Sequence, residues 1–116
     1  MAEGRLTTHV LDTMRGKPGA GIRIELYALD GVTARRVADI VTNVDGRTDA
    51  PLLAGDALKA GRYELLFHIG DYFRRGGVDA PFLDVVPVRF AVADAAAHYH
   101  VPLLASPWSY TTYRGS

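Results

Sequence analysis

The sequence has no cysteine and no net charge, and each absence narrows the field. With no cysteine among its 116 residues, the chain has no disulfide and no thiolate metal site. Nor does it bear the mark of an oxidising compartment. Thirteen basic residues balance thirteen acidic ones, so there is no electrostatic footprint for nucleic acid or an anionic membrane. No apolar run approaches the roughly 20 residues of a membrane span. The opening MAEGRLTTHV lacks the basic-then-apolar pattern of a signal peptide, and a cytoplasmic location is the expectation. The familiar catalytic signatures are missing too: no GxSxG elbow, no HExxH and no phosphate-cradling glycine loop. Covalent catalysis of those kinds has no visible nucleophile, apart from Ser116 at the end of the chain.

What is present reads as short strands separated by turns. At this length one domain spanning 1–116 is expected, with residues 1–4 as a short disordered lead. RLTTHVLD (5–12) alternates and runs into a loop rich in Gly and Pro. IRIELYAL (22–29) alternates as well, with Ile22, Ile24, Leu26 and Ala28 on one face. RRVADIVT (35–42) is followed by Asp45-Gly46, a turn signal. GRYELLFHI (61–69) is a clear strand, and GDYFRRGG (70–77) reads as a helical turn or two. FLDVVPVRFAV (82–92) carries Pro87, which favours an edge or bulge. AHYHVPLLA (97–105) puts His98, His100 and Pro102 on one side, and WSYTTYR (108–114) is rich in β-formers. Seven or eight strands with one short helix point to an all-β sandwich of two sheets.

Four histidines carry the clearest chemistry: His9, His68, His98 and His100. A single strand histidine is more often a hydrogen-bonded or surface residue than a catalyst, and His68 is left with that reading. His98 and His100 share a face and, with His9 as third ligand, form a conceivable zinc set. No carboxylate recurs at ligand spacing, and no metal is expected. Arg47 follows the Asp45-Gly46 turn. It is either a solvated turn residue or an anion clamp, a planar fork suited to carboxylates and polarised carbonyls. The chain ends on Tyr113-Arg114-Gly115-Ser116. Chain ends fray unless tied down, and an aromatic ring beside a guanidinium suggests a tail that docks.

LTTHVLDTMRGKPGAG (6–21), VTNVDGRTDAPLL (41–53), His98 and the terminal YRGS together resemble the transthyretin-like family, in its enzyme branch, the 5-hydroxyisourate hydrolases of purine catabolism. The resemblance covers the chain from Arg5 to Ser116. It implies a sandwich of two four-stranded antiparallel sheets with one short helix, assembled as a homotetramer, a dimer of dimers. Active sites would lie in the groove between dimers. His9, Arg47 and His98 match the family's catalytic positions. Tyr113, Arg114, Gly115 and Ser116 match its substrate-binding tail, ordered by docking on a neighbouring subunit.

The implied reaction opens the cyclic amide of 5-hydroxyisourate, with no cofactor. His9 is the expected water-activating base, with His98 orienting it or shuttling the proton, since imidazole titrates near working pH. Arg47 and Arg114 are the expected oxyanion donors. Tyr113 would stack on the substrate ring and Ser116 hydrogen-bond it. The alternative is a non-catalytic small-ligand carrier on the same fold, because fold alone does not choose between the two.

Overall fold

The computed structural model describes residues 3–116. Residues 1 and 2 of the expected disordered lead lie outside the described residues. Gly4 is buried, and its carbonyl accepts the Gly55 N–H at 2.9 Å.

In chain order the elements are β1 (Arg5–Thr7), β2 (Val10–Asp12), β3 (Lys17–Pro18), β4 (Arg23–Asp30), β5 (Thr33–Val41) and β6 (Leu53–Ala54). A single 3₁₀ turn (Gly55–Ala57) leads to β7 (Gly61–Phe67) and α1 (Ile69–Arg75). Then come β8 (Val86–Val92), β9 (His98–His100), β10 (Leu103–Ala105) and β11 (Tyr110–Thr112). No helix among the described residues is long and apolar enough to cross a membrane.

The strands form three sheets rather than the two four-stranded sheets the resemblance implies. One sheet has four antiparallel strands in the order β5-β4-β7-β8. The others are β6-β1-β9 and β11-β10-β2-β3. The stretches 5–12 and 97–105, each expected as one strand, are each split in two. Pro102 has no N–H to give the ladder, so strand pairing lapses beside it. The register does not slip. Arg5 lies opposite His98 before the break and Val10 opposite Leu103 after it, both in parallel pairs. Val101 N–H donates to the Thr7 carbonyl at 2.9 Å, and Leu103 N–H to the His9 carbonyl at 2.8 Å. The two smaller sheets are therefore one layer interrupted in the middle. Pro87 lies on β8, an edge strand, as its missing donor favours.

Alternation dictates which side chains enter the core. Leu6, Thr8, Val10 and Asp12 are buried, while Arg5, Thr7, His9 and Leu11 between them are not. Leu6, Val10 and Leu103 of the interrupted layer meet Ile24, Leu26, Leu65 and Phe67 of the other sheet in one apolar cluster. Each such side chain, fully buried, contributes roughly 1.5–3 kcal/mol. The helix seals one end by inserting Ile69 and Phe73. Its Tyr72 hydroxyl donates to the buried Asp12 carboxylate at 2.7 Å. The polar face of 5–12 is thus turned away from the core, on a rigid layer.

Candidate active site

The outer face of the interrupted layer gathers the histidines. Because β1 and β9 run parallel in register, Thr7 lies opposite His100 and Arg5 opposite His98. Residues two apart share a face, so Arg5 and Thr7 of β1, His9 in the break just after it, and His98 and His100 of β9 all project outward. The Thr7 hydroxyl lies 2.8 Å from His98 Nε2 and 2.8 Å from His100 Nδ1. The two imidazole rings are 6.3 Å apart between centroids.

Arg47 reaches this face from the turn after β5. The Asn43 side-chain oxygen accepts from the Asp45 and Arg47 N–H groups at 2.9 and 3.1 Å, an Asx turn. Gly46 has φ of +74°, and a Cβ there would run into the Val10 carbonyl, so only glycine fits. Val10 N–H donates to the Gly46 carbonyl at 2.8 Å, and His9 and Arg47 face each other in an antiparallel bridge. His9 Nε2 donates to the Asp45 carbonyl at 2.9 Å. A carbonyl only accepts, so the neutral ring carries its proton on Nε2 and its lone pair on Nδ1.

An open pocket of about 420 Å³ is walled by Arg5, Thr7, Arg47, His98, His100 and Ser116, with the 48–51 loop closing one side. His9 is not part of that wall; it stands two positions on from Thr7, strapped to the turn that carries Arg47. All three imidazoles are held below their ordinary pKa. Burial is the main cause for each. Arg47 adds to it at His9 and His100, and Arg5 and Arg114 at His98. At neutral pH these rings therefore keep their lone pairs, beside guanidiniums suited to a developing oxyanion.

Within the chain the tail docks on β9. Gly115 N–H donates to the His100 carbonyl at 2.7 Å, and His100 N–H returns a bond of 3.4 Å to the Gly115 carbonyl. A Cβ at Gly115 would stand 3.0 Å from His100 Cδ2, so the residue's smallness lets the tail approach that ring. Ser116 thereby joins the pocket wall. Tyr113 and Arg114 are turned elsewhere. They line a second hollow with Val88, Phe90 and Tyr99, and Tyr113 is 57% exposed. The Arg114 guanidinium lies 4.7 Å above the Tyr99 ring, with one N–H on the His98 carbonyl at 3.3 Å.

Within one chain, then, Arg47, His98 and Ser116 converge, His9 borders them, and Tyr113 and Arg114 do not join. Sequence reasoning did not assign His100, Thr7 or Arg5 to the site. Their signal was the period-two spacing of Arg5, Thr7 and His9 and of the HYH run. Its meaning depended on the register between two distant strands. His68 is a structural partner of Glu25, 2.8 Å away. Among the described residues no group of three or more His, Asp or Glu side chains is placed to hold a metal ion.

Fold and site define a small β-sandwich that carries an imidazole–guanidinium pocket on the outer face of one layer. The model of the HIUase/Transthyretin family matches residues 6–115. The 5-hydroxyisourate hydrolase of Deinococcus radiodurans is 59% identical over 113 residues, covering 96% of this chain and 95% of the relative. Among solved structures, (S)-allantoin synthase superposes with a TM-score of 0.94 at 47% identity. The match covers 99% of this chain but only 44% of the synthase chain. Sea bream transthyretin in complex with thyroxine gives a TM-score of 0.88 at 27% identity, covering 96% of this chain and 94% of the transthyretin. The chain belongs to the HIUase/Transthyretin family.

Proposed function

We propose that this protein is an enzyme that hydrolyses 5-hydroxyisourate to 2-oxo-4-hydroxy-4-carboxy-5-ureidoimidazoline, a step of urate degradation. The observation that carries this reading is the pocket itself: imidazoles with depressed pKa beside guanidiniums, on a rigid sheet face. The 59% identity to a 5-hydroxyisourate hydrolase over nearly the whole chain supports it.

In this reading water attacks the ring carbonyl, the C–N bond opens, the carbonyl carbon becomes a carboxylate and the departing nitrogen takes a proton. His9 accepts the water's proton at Nδ1, the nitrogen left bare by the bond to Asp45. Arg47 donates to the oxygen as it gains charge, and His98 shuttles a proton toward the nitrogen. Ser116 hydrogen-bonds the substrate. Tyr113 and Arg114 act from the tail, and the assembly we propose is a homotetramer with its sites in the groove between dimers. That groove would cover the outer sheet face on which the pocket opens.

A small-ligand carrier is the second reading, favoured by the likeness to a transthyretin–thyroxine complex. The test is to generate 5-hydroxyisourate in situ from urate and follow its ultraviolet decay with and without the protein. Decay faster than the spontaneous background supports the hydrolase; unchanged decay supports the carrier.

A further inference from the structure

The Thr7 hydroxyl sits at 2.8 Å from a nitrogen of each of two imidazoles, and proton counting makes that arrangement informative. A hydroxyl has one proton to donate and lone pairs to accept with. With both rings neutral, Thr7 gives its proton to one ring and receives a bond from the N–H of the other. Two arrangements satisfy this. In the first, His98 Nε2–H donates to Thr7 Oγ1, and Thr7 donates to His100 Nδ1. In the second, His100 Nδ1–H donates to Thr7, and Thr7 donates to His98 Nε2. The two tautomers are therefore linked: one facing nitrogen is protonated when the other is bare.

We propose that Thr7 is a positioning residue that makes His98 and His100 a single proton relay. Passing from the first arrangement to the second takes up a proton at His98 Nδ1, shifts one from His98 Nε2 to Thr7 and one from Thr7 to His100 Nδ1, and releases one from His100 Nε2. Uptake equals release, and neither ring ends charged. This matters because Arg5, Arg47 and Arg114 all oppose an imidazolium on these rings, as does His9 when it is protonated. The inference rests on the hydrolase reading for its use: the proton taken up is the one His9 gains from the attacking water and passes on, and the proton released goes to the departing nitrogen. Exchange with solvent at the two outer nitrogens resets the pair.

Thr7→Val keeps the β-branched shape and removes the hydroxyl; Thr7→Ser keeps the hydroxyl. The expected result is a kcat at least about tenfold lower in Thr7→Val, KM within about twofold of wild type, and most of kcat restored in Thr7→Ser. A Thr7→Val enzyme with wild-type kcat, or a Thr7→Ser enzyme as slow as Thr7→Val, overturns the proposal. Nitrogen-15 NMR of the labelled imidazoles above their titration range supplies a reading independent of turnover. In wild type the protonated fractions at His98 Nε2 and His100 Nδ1 should be complementary, and in Thr7→Val that complementarity should vanish. Equal tautomer populations in wild type and Thr7→Val contradict the linkage. A wild-type chain without hydrolase activity would sink the functional reading alone, leaving the NMR comparison to judge the relay.

Discussion

His9 and Arg47 stand opposite each other in an antiparallel bridge, although β2, β3, β4 and β5 all lie between them in the chain. The bridge ties a base candidate and an anion clamp into one unit. The same strand–turn contact holds His9 Nε2 on the Asp45 carbonyl and anchors Gly46 on Val10. Each member thus fixes the other's geometry, and the Arg47 charge helps keep the His9 ring neutral.

His9→Asn removes the ring and its Nδ1 lone pair while keeping a small polar side chain at the position. Turnover should fall by about 10²–10⁴-fold, with far-ultraviolet circular dichroism and the unfolding midpoint close to wild type. Full activity in this variant would exclude His9 as the base.

Arg47→Gln should cost two to three decades in kcat/KM, roughly the loss expected from one oxyanion donor. It should also move the pH profile. Neutral imidazole is the working form, so activity falls as pH drops through the imidazole pKa. In wild type that acidic limb should lie below the ordinary value of about 6.5, because burial and neighbouring guanidiniums depress His9, His98 and His100. Removing Arg47 takes away one depressing charge at His9 and His100, so the limb should shift to higher pH. A limb that stays put would show that those two rings do not limit the rate.

Deleting residues 113–116 should abolish hydrolysis and leave the sandwich folded. The tail's ties are the Gly115–His100 pair, the Arg114 contact with Tyr99 and the place of Ser116 in the pocket wall. Gly115→Ala is the finer probe, since its methyl would press on the His100 ring. We expect it to lower kcat without moving the unfolding midpoint beyond the shift of an ordinary surface substitution, about 0.5 kcal/mol. Normal activity in the truncated chain would remove the tail from the site.

Glu25 supplies a test of stability that leaves the pocket alone. It is 7% exposed and accepts from His68 Nε2 at 2.8 Å, Tyr27 Oη at 2.9 Å and Arg36 at 3.3 Å. The His68 bond, with the Tyr27 and Arg36 bonds and Arg23, holds its carboxyl below the usual carboxylate range. A depressed folded-state pKa means stability that is present above the unfolded value and lost as pH falls through the folded one. Glu25→Gln should cost about 1–3 kcal/mol in urea unfolding at pH 7. The gap to wild type should narrow as the wild-type carboxyl is protonated in acid. A gap that does not change with pH would show that the carboxylate charge is not what stabilises the cluster.

Local patterns made much of this fold legible. The alternation in IRIELYAL and GRYELLFHI marks β4 and β7, Asp45-Gly46 marks the turn that carries Arg47, and the glycine after DYFRR marks the end of α1, whose start lies one residue before Gly70. What escaped was non-local. The split at Thr8–His9 answers a proline on another strand. His100 entered the site through a threonine that precedes it by most of the chain. The tail's pairing with His100 rests on Gly115, which permits a close approach that strand patterns do not encode. Such features depend on register between distant segments, and a single sequence shows period but not register.

The central claim is that imidazoles and guanidiniums brought together on this sheet face open a cyclic amide. The most direct measurement is the ultraviolet decay of 5-hydroxyisourate made in situ, recorded with wild type, with His98→Asn and with wild type under a strong chelator. Our account predicts decay well above background for wild type with or without chelator, and decay near background for His98→Asn. Wild-type decay that matches the spontaneous rate, or that collapses to it when the chelator is added, would contradict it.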